Sequence, residues 1–304
     1  MFKGVFIMNL FDVMKRFPDQ DSCIKYLEEI RWDGEPECTH CGSKKVNTRH
    51  EKDQNLIGRY NCQDCKASFK VTCNTIFQGT RQPLQKWFVA ISLMINAKKS
   101  LSSHQLARDL KLNQMTAWSM MQKIRAEMAT KGNTLLKGII EADETYIGGK
   151  PRKGNKRAHD EPVKRGRGTS KTAVIGAVER DGHVIAKVAN DLTGQSIMRF
   201  IKDVASIEES ELMTDEYRGY LTIGREMKHH IINHKEQYVD GEVHTNTIEG
   251  FWSLLKRAWY GTHHQYSVVW TPLYVAEACY KYNYRNHDNI FDKFVIESMK
   301  VNEK

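Results

Sequence analysis

Four cysteines constrain this chain more than any other feature. They fall as Cys38-x2-Cys41 and Cys62-x2-Cys65, with 20 residues between the pairs. Thiols in two such knuckles close on one tetrahedral ion. Four thiolates select Zn2+, and a site closed by four protein ligands is structural rather than catalytic. His40 lies inside the first knuckle and His50 in the intervening arm, and neither is needed as a ligand. A redox dithiol fits less well, because two pairs are present without thioredoxin-like surroundings. The chain has seven cysteines, an odd number that argues against a closed disulfide framework. Cys23, Cys73 and Cys279 are read as ordinary small residues of a reducing, intracellular protein.

The chain of 304 residues is long enough for two or three domains. No apolar run approaches the roughly 20 residues that span a bilayer. The opening stretch is apolar with a few basic residues, but it lacks a small-residue cleavage site and is not read as a signal peptide. Net charge is +9, which favours a polyanionic partner. The charge concentrates between Lys150 and Lys171, where nine Lys/Arg face two acids, Asp160 and Glu161. Gly154, Gly166 and Gly168 and the scarcity of apolar residues make this a loop. Arg152, Lys153, Lys156, Arg157, Lys164, Arg165 and Arg167 make it an arm suited to grip phosphates.

Periodicity divides the rest. Residues 9–30 read as helix broken near Pro18 and Asp19, and a second helix runs from about Pro83 to Lys98. Two short helices follow, carrying Leu106 and Leu110, then Ala117, Met121, Ile124 and Met128, with Asn113 as the cap between them. That spacing suggests helix-turn-helix. From Gly138 the pattern becomes strand-rich. GIIEAD is a short buried strand ending in acid, TAVIGAVER and HVIAKVAND flank an Asp181-Gly182 hairpin, and ELMTDEY and HHIINH are further strands. Helices are expected over Gln195–Val204 and Thr245–Tyr260, with another from Thr271. This order of strands and helices is that of an RNase H-like α/β fold with a mixed sheet.

Three acids occupy the edges of this pattern: Asp143, Asp215 and Glu249. Alternation puts Glu141 and Asp143 on one face of the first strand and Glu144 on the other. On the late helix, Ile248, Phe251, Trp252, Leu255 and Trp259 form one apolar stripe; Glu249 and Lys256 lie on its flank, with Ser253 and Asn246 further round. Carboxylates are costly to bury unless a partner or ion takes their charge. Three of them at element ends suggest a shared site for hard divalent cations doing phosphoryl chemistry. Asp143 and Asp215 are preferred over Glu144 and Glu216, because the shorter side chain suits two bridged ions.

EADETYIGGKPRKGNKR, LMTDEYRGY, HTNTIEGFWSLLKRAWYGTHH and YKYNYRN together resemble the catalytic domain of DDE-class insertion-sequence transposases. They are most similar to the Merlin-related, ISXO-like group with an N-terminal zinc ribbon. The resemblance runs from about Asp12 to about Asn289. It implies an RNase H-like fold, and Mg2+ (or Mn2+) at Asp143, Asp215 and Glu249. Lys256 matches the basic residue that follows the third acid, and Asn246 stays an alternative or additional third ligand. It also implies DNA as partner, both terminal inverted repeats and target, with a homodimer expected, no membrane, and a cytoplasmic, nucleoid-associated setting in a prokaryotic host. The expected layout is an N-terminal helical segment over 1–35, the ribbon over 36–80 and helix-turn-helix over 81–132. The catalytic domain follows over 133–290 and a tail over 291–304. A domesticated DNA-binding regulator and a structure-selective nuclease are the competing readings.

Overall fold

The computed structural model describes residues 8–48, 58–130, 134–149, 171–232 and 244–300. The basic arm 150–170, with all seven residues expected to grip phosphate, lies outside them. The chain clusters into two units. One comprises Met1–Ala97, Leu101–Met128 and Asn286–Lys304; the other comprises Lys98–Ser100 and Ala129–Arg285.

In the first unit, α1 (Leu10–Arg16) and α2 (Gln20–Trp32) are separated where Pro18 and Asp19 interrupt the helical pattern. Asp19 restarts the helix by accepting the Ser22 N–H at 2.7 Å. Three short strands, β1 (Val46–Thr48), β2 (Arg59–Cys62) and β3 (Ser68–Lys70), form an antiparallel sheet in sequence order. α3 (Leu84–Asn96) begins one residue after Pro83, which lacks the N–H a helix interior needs. α4 (Ser103–Leu110) and α5 (Gln114–Thr130) are joined by a three-residue turn. Lys111 enters that turn with φ 50°, and Asn113 Oδ1 accepts the Met115 N–H at 2.8 Å. The last helix, α9 (Ile290–Met299), contributes Phe291 to an aromatic core with Phe17 and Phe88.

The second unit is built on a five-stranded mixed sheet: β4 (Leu136–Ile147), β5 (Thr172–Glu179), β6 (Val184–Ala189), β7 (Ala205–Asp215) and β8 (Lys228–Ile232). The order is β6-β5-β4-β7-β8, with β4, β5 and β6 antiparallel neighbours and β7 and β8 parallel to β4. One face packs on α6 (Gly194–Val204) through Ile140, Ala142, Ile175, Ala177, Ile197 and Ile201. The other packs on α7 (Asn246–Ala258) and α8 (Thr271–Asn283) through Val174, Val178, Ile248, Phe251, Trp252 and Val275. The expected stripe of α7 is therefore the buried one, and Trp259 continues it into a widened turn. No described helix is long and apolar enough to cross a membrane.

Two elements differ from the sequence reading. The strand expected to end at Asp143 runs on to Ile147, because β5 continues to pair with it as far as Thr172 after β7 has ended. The expected C-terminal tail contains α9, whose Phe294 and Val295 are fully buried.

Candidate functional site

The four cysteine Sγ atoms lie within 4.8 Å of one another. Cys38 and Cys65 sulfurs are 3.6 Å apart, as are those of Cys41 and Cys62. A regular tetrahedron with Zn–S of about 2.3 Å has S···S edges of about 3.8 Å, so the donors match the ion. Backbone N–H groups favour the thiolate at Cys62, while the neighbouring sulfurs and burial push the Cys41 and Cys65 thiols up, as expected of thiols sharing one site without an ion's charge. The N–H groups of Cys65 and Asp64 bring the Cys62 thiol down to about 6. The N–H of His40 points at Cys38 Sγ at 3.5 Å. Behind the knuckles, Tyr60 stacks on Phe69 and both meet Trp32 edge-on.

In the second unit, the parallel register of β4 and β7 pairs Glu141 with Met213. Continuing it by two residues sets Asp143 beside Asp215, on strands about 4.8 Å apart. Each carboxylate is oriented. Trp252 Nε1 donates to Asp143 Oδ2 at 3.0 Å, and the Tyr217 N–H donates to Asp215 Oδ1 at 3.0 Å. The indole reaches that position because Gly176 faces Asp143 across the β4–β5 ladder. A Cβ at Gly176 would meet the Trp252 ring at 2.6 Å. Glu144 points to the opposite face, where the buried Tyr220 hydroxyl donates to it at 3.4 Å.

Glu249, Asn246 and Lys256 are exposed on α7. The Glu249 carboxylate accepts the Thr245 hydroxyl at 3.3 Å. The structure thus brings Asp143 and Asp215 together and leaves Glu249 turned back along its own helix. Among the described residues, only the four cysteines converge closely enough as a group to hold an ion without side-chain movement. His244 sits 3.1 Å from Glu141, not on Asp143. Arg285 donates to the Gly182 and Tyr282 carbonyls at 3.2 and 2.7 Å.

Burial, then the charge of Glu144, pushes the Asp143 carboxyl up from 3.8 to about 7, with Asp215 adding to the effect. This is unmet negative charge, and a divalent cation between Asp143 and Asp215 would relieve it. A carboxyl raised on folding binds its proton more tightly in the native state. Stability therefore falls as pH rises from about 4 to about 7. In zinc-loaded protein without Mg2+, Asp143→Asn is expected to be more stable than wild type at pH 8. The gain should be about 1–3 kcal/mol, within a ceiling of about 4, and should vanish towards pH 4. Denaturant melts at both pH values measure it; an Asn variant less stable at pH 8 would contradict the charged, crowded state described here.

Two features of this site carry no mark in the sequence, Gly176 and Trp252 as a donor to Asp143; Glu141 is a candidate on the first strand, where Asp143 is preferred. Alternation already put Glu141 on the face of Asp143, and the α7 stripe put Trp252 on the sheet. Gly176 carried no signal beyond interrupting a β-branched run.

A four-thiolate ribbon and a mixed-sheet domain with paired acids on adjacent parallel strands define a zinc-bearing protein with a carboxylate-lined α/β site. Residues 135–283 match the ISXO2-like transposase domain, and residues 18–68 match the transposase zinc-ribbon domain. The chain belongs to this ISXO2-like, zinc-ribbon-bearing transposase family. It is 29% identical over 268 residues to an uncharacterised protein in transposable element ISH50 of Halobacterium salinarum, covering 82% of this chain and 86% of the relative. Among solved structures, a pre-cleavage Mos1 transpososome and the Mos1 strand transfer complex each align at 10% identity with a TM-score of 0.26. They cover 70% and 71% of this chain and 79% of each matched chain. A score that low carries no argument about fold.

Proposed function

We propose that this protein is the transposase of an insertion sequence, binding terminal inverted repeats and catalysing divalent-metal-dependent cleavage and strand transfer. The observation that carries the proposal is Asp143 beside Asp215 at the β4–β7 junction, within a chain of transposase family. The strand order, three antiparallel strands followed by two parallel to the first, supports an RNase H-like reading of the domain. The α4–α5 pair with its tight turn supports helix-turn-helix, and the ribbon is the second candidate for holding element ends.

Asp143 and Asp215 are the ligands proposed for Mg2+ or Mn2+. Glu249 completes the set by rotating away from Thr245, or Asn246 does so from the preceding turn. When bound, such ions activate the attacking hydroxyl and steady the leaving oxygen of an in-line displacement. Trp252 and Tyr217 fix the orientation of the two carboxylates, and the Glu144 backbone N–H also favours the charged form of Asp143. Lys256, exposed seven residues beyond Glu249 on the same helix, is the residue proposed to contact a DNA phosphate.

Supplying a precut 3′-hydroxyl element end and a target plasmid tests the joining step. Joined product is expected; cutting activity without any joined product would favour a structure-selective nuclease. Glu249→Ala and Asn246→Ala decide the third ligand, since the variant that keeps strand transfer has lost a residue that does not ligate. Neutralising Arg152, Lys153, Lys156 and Arg157 together is expected to weaken DNA binding. The salt slope should fall by about one for each phosphate the arm no longer neutralises. An unchanged slope would reduce the arm to a solvated loop.

A further inference from the structure

Glu141 is wholly buried, yet it is not among the proposed ligands. Its carboxylate is nonetheless fully engaged. One oxygen accepts the backbone N–H groups of Thr247 and Ile248 at 2.7 and 3.1 Å; the other accepts the Thr247 hydroxyl at 2.9 Å and Arg180 Nε at 2.8 Å. Arg180 Nη2 donates in turn to the His244 carbonyl and to His244 Nδ1, each at 3.1 Å. Thr247 and Ile248 belong to the first turn of α7, and Thr245 provides no side-chain cap for that helix. The strand therefore supplies the cap. Its negative charge lies at the positive end of the helix, where a carboxylate is favoured.

We propose that Glu141, locked by Arg180, which His244 holds in turn, is a positioning residue that sets α7, and with it Glu249, against the strand bearing Asp143. The proposal rests on the catalytic reading of Asp143, Asp215 and Glu249. The geometry has two fixed points. Glu141 holds Thr247 and Ile248, and two residues on, Asp143 holds Trp252. Two residues of strand advance about 6.6 Å, and the five helical residues from Thr247 to Trp252 advance about 7.5 Å. Helix and strand thus run alongside in one sense with the two contacts in step. Glu249 lies between them in sequence, so its backbone is fixed and only side-chain rotation is left to bring its carboxylate in. A buried ion pair is not needed for stability alone, since packed apolar residues often serve as well. Holding a ligand-bearing helix in register is a use that does need it.

The test uses the full-length, zinc-loaded protein. Fe2+ replaces Mg2+, with ascorbate and hydrogen peroxide added, so that hydroxyl radicals formed at the iron cleave the polypeptide nearby and map which residues surround the ion. Wild type is expected to be cut near Asp143, Asp215 and Glu249. In Glu141→Gln, cuts near Asp143 and Asp215 should persist while the cut near Glu249 fades, and the amides of Thr247 and Ile248 should lose hydrogen-exchange protection. The Mg2+ concentration for half-maximal end cleavage should rise by about 10–100-fold with end binding unchanged. If Glu141→Gln does not fold, Glu141→Gln/Arg180→Met removes both charges together and takes the same measurements. A wild-type cutting pattern and Mg2+ dependence in these variants would overturn the positioning role. Absence of cuts near Asp143 and Asp215 in wild type would instead overturn the catalytic reading, and this proposal with it.

Discussion

Alanine at Asp143 or Asp215 is expected to abolish Mg2+-dependent cleavage of an element end while leaving end binding intact. The loss should be on the order of 10³-fold or more, about 4 kcal/mol of transition-state stabilisation. The two carboxylates come from neighbouring parallel strands, and each is oriented by a hydrogen bond, from Trp252 and Tyr217 respectively. Removing either would leave the site without one of the two carboxylates proposed to hold a divalent cation. Asp143→Asn is the cleaner version, because an amide oxygen can still accept the Trp252 N–H. It separates loss of charge from disturbance of the helix. Gel-shift and cleavage assays on the same preparations check this; a variant that cleaves at the wild-type rate would remove that residue from the site.

The second large effect is expected in the ribbon. Its buried cluster consists of Cys38, Tyr60, Cys62 and Phe69, with Trp32, Val46 and Cys73 packed against them. So few residues bury too little apolar area to offset the entropy of ordering this segment. Zinc supplies the difference, and a four-thiolate site contributes roughly 10–16 kcal/mol. About one Zn2+ per chain is expected. Cys38→Ser/Cys62→Ser should lose the metal and ribbon structure while the mixed-sheet domain keeps its fold. Metal analysis and circular dichroism measure this. Stoichiometric zinc in the double variant would show that other residues hold the ion.

How much of this could be read from the chain depends on range. The cysteine knuckles are local, so spacing alone identified their chemistry. The buried stripe of α7 was equally legible, because a helix repeats its face within a few residues. Alternation assigned Glu141 and Asp143 to one face of β4 for the same reason. What sequence did not reveal was the partnership of Glu141. Its contacts reach 39 residues to Arg180 and 106 to Thr247, so the local pattern gives its face but not its partners. The length of β4 was missed because its continuation past Asp143 depends on β5, across the basic arm. Gly176 is significant only because Trp252 crosses above it. The orientation of Glu249 towards Thr245 is a side-chain choice that no periodicity encodes.

On the proposed function, the acids at the β4–β7 junction cut DNA at the boundary of a mobile element. Incubating the zinc-loaded protein with Mg2+ and an end-labelled element terminus, then mapping the product to the nucleotide, tests it most directly. A single metal-dependent cut at the element boundary, leaving a 3′-hydroxyl, is predicted. Intact DNA, or cuts scattered without relation to the boundary, would contradict it.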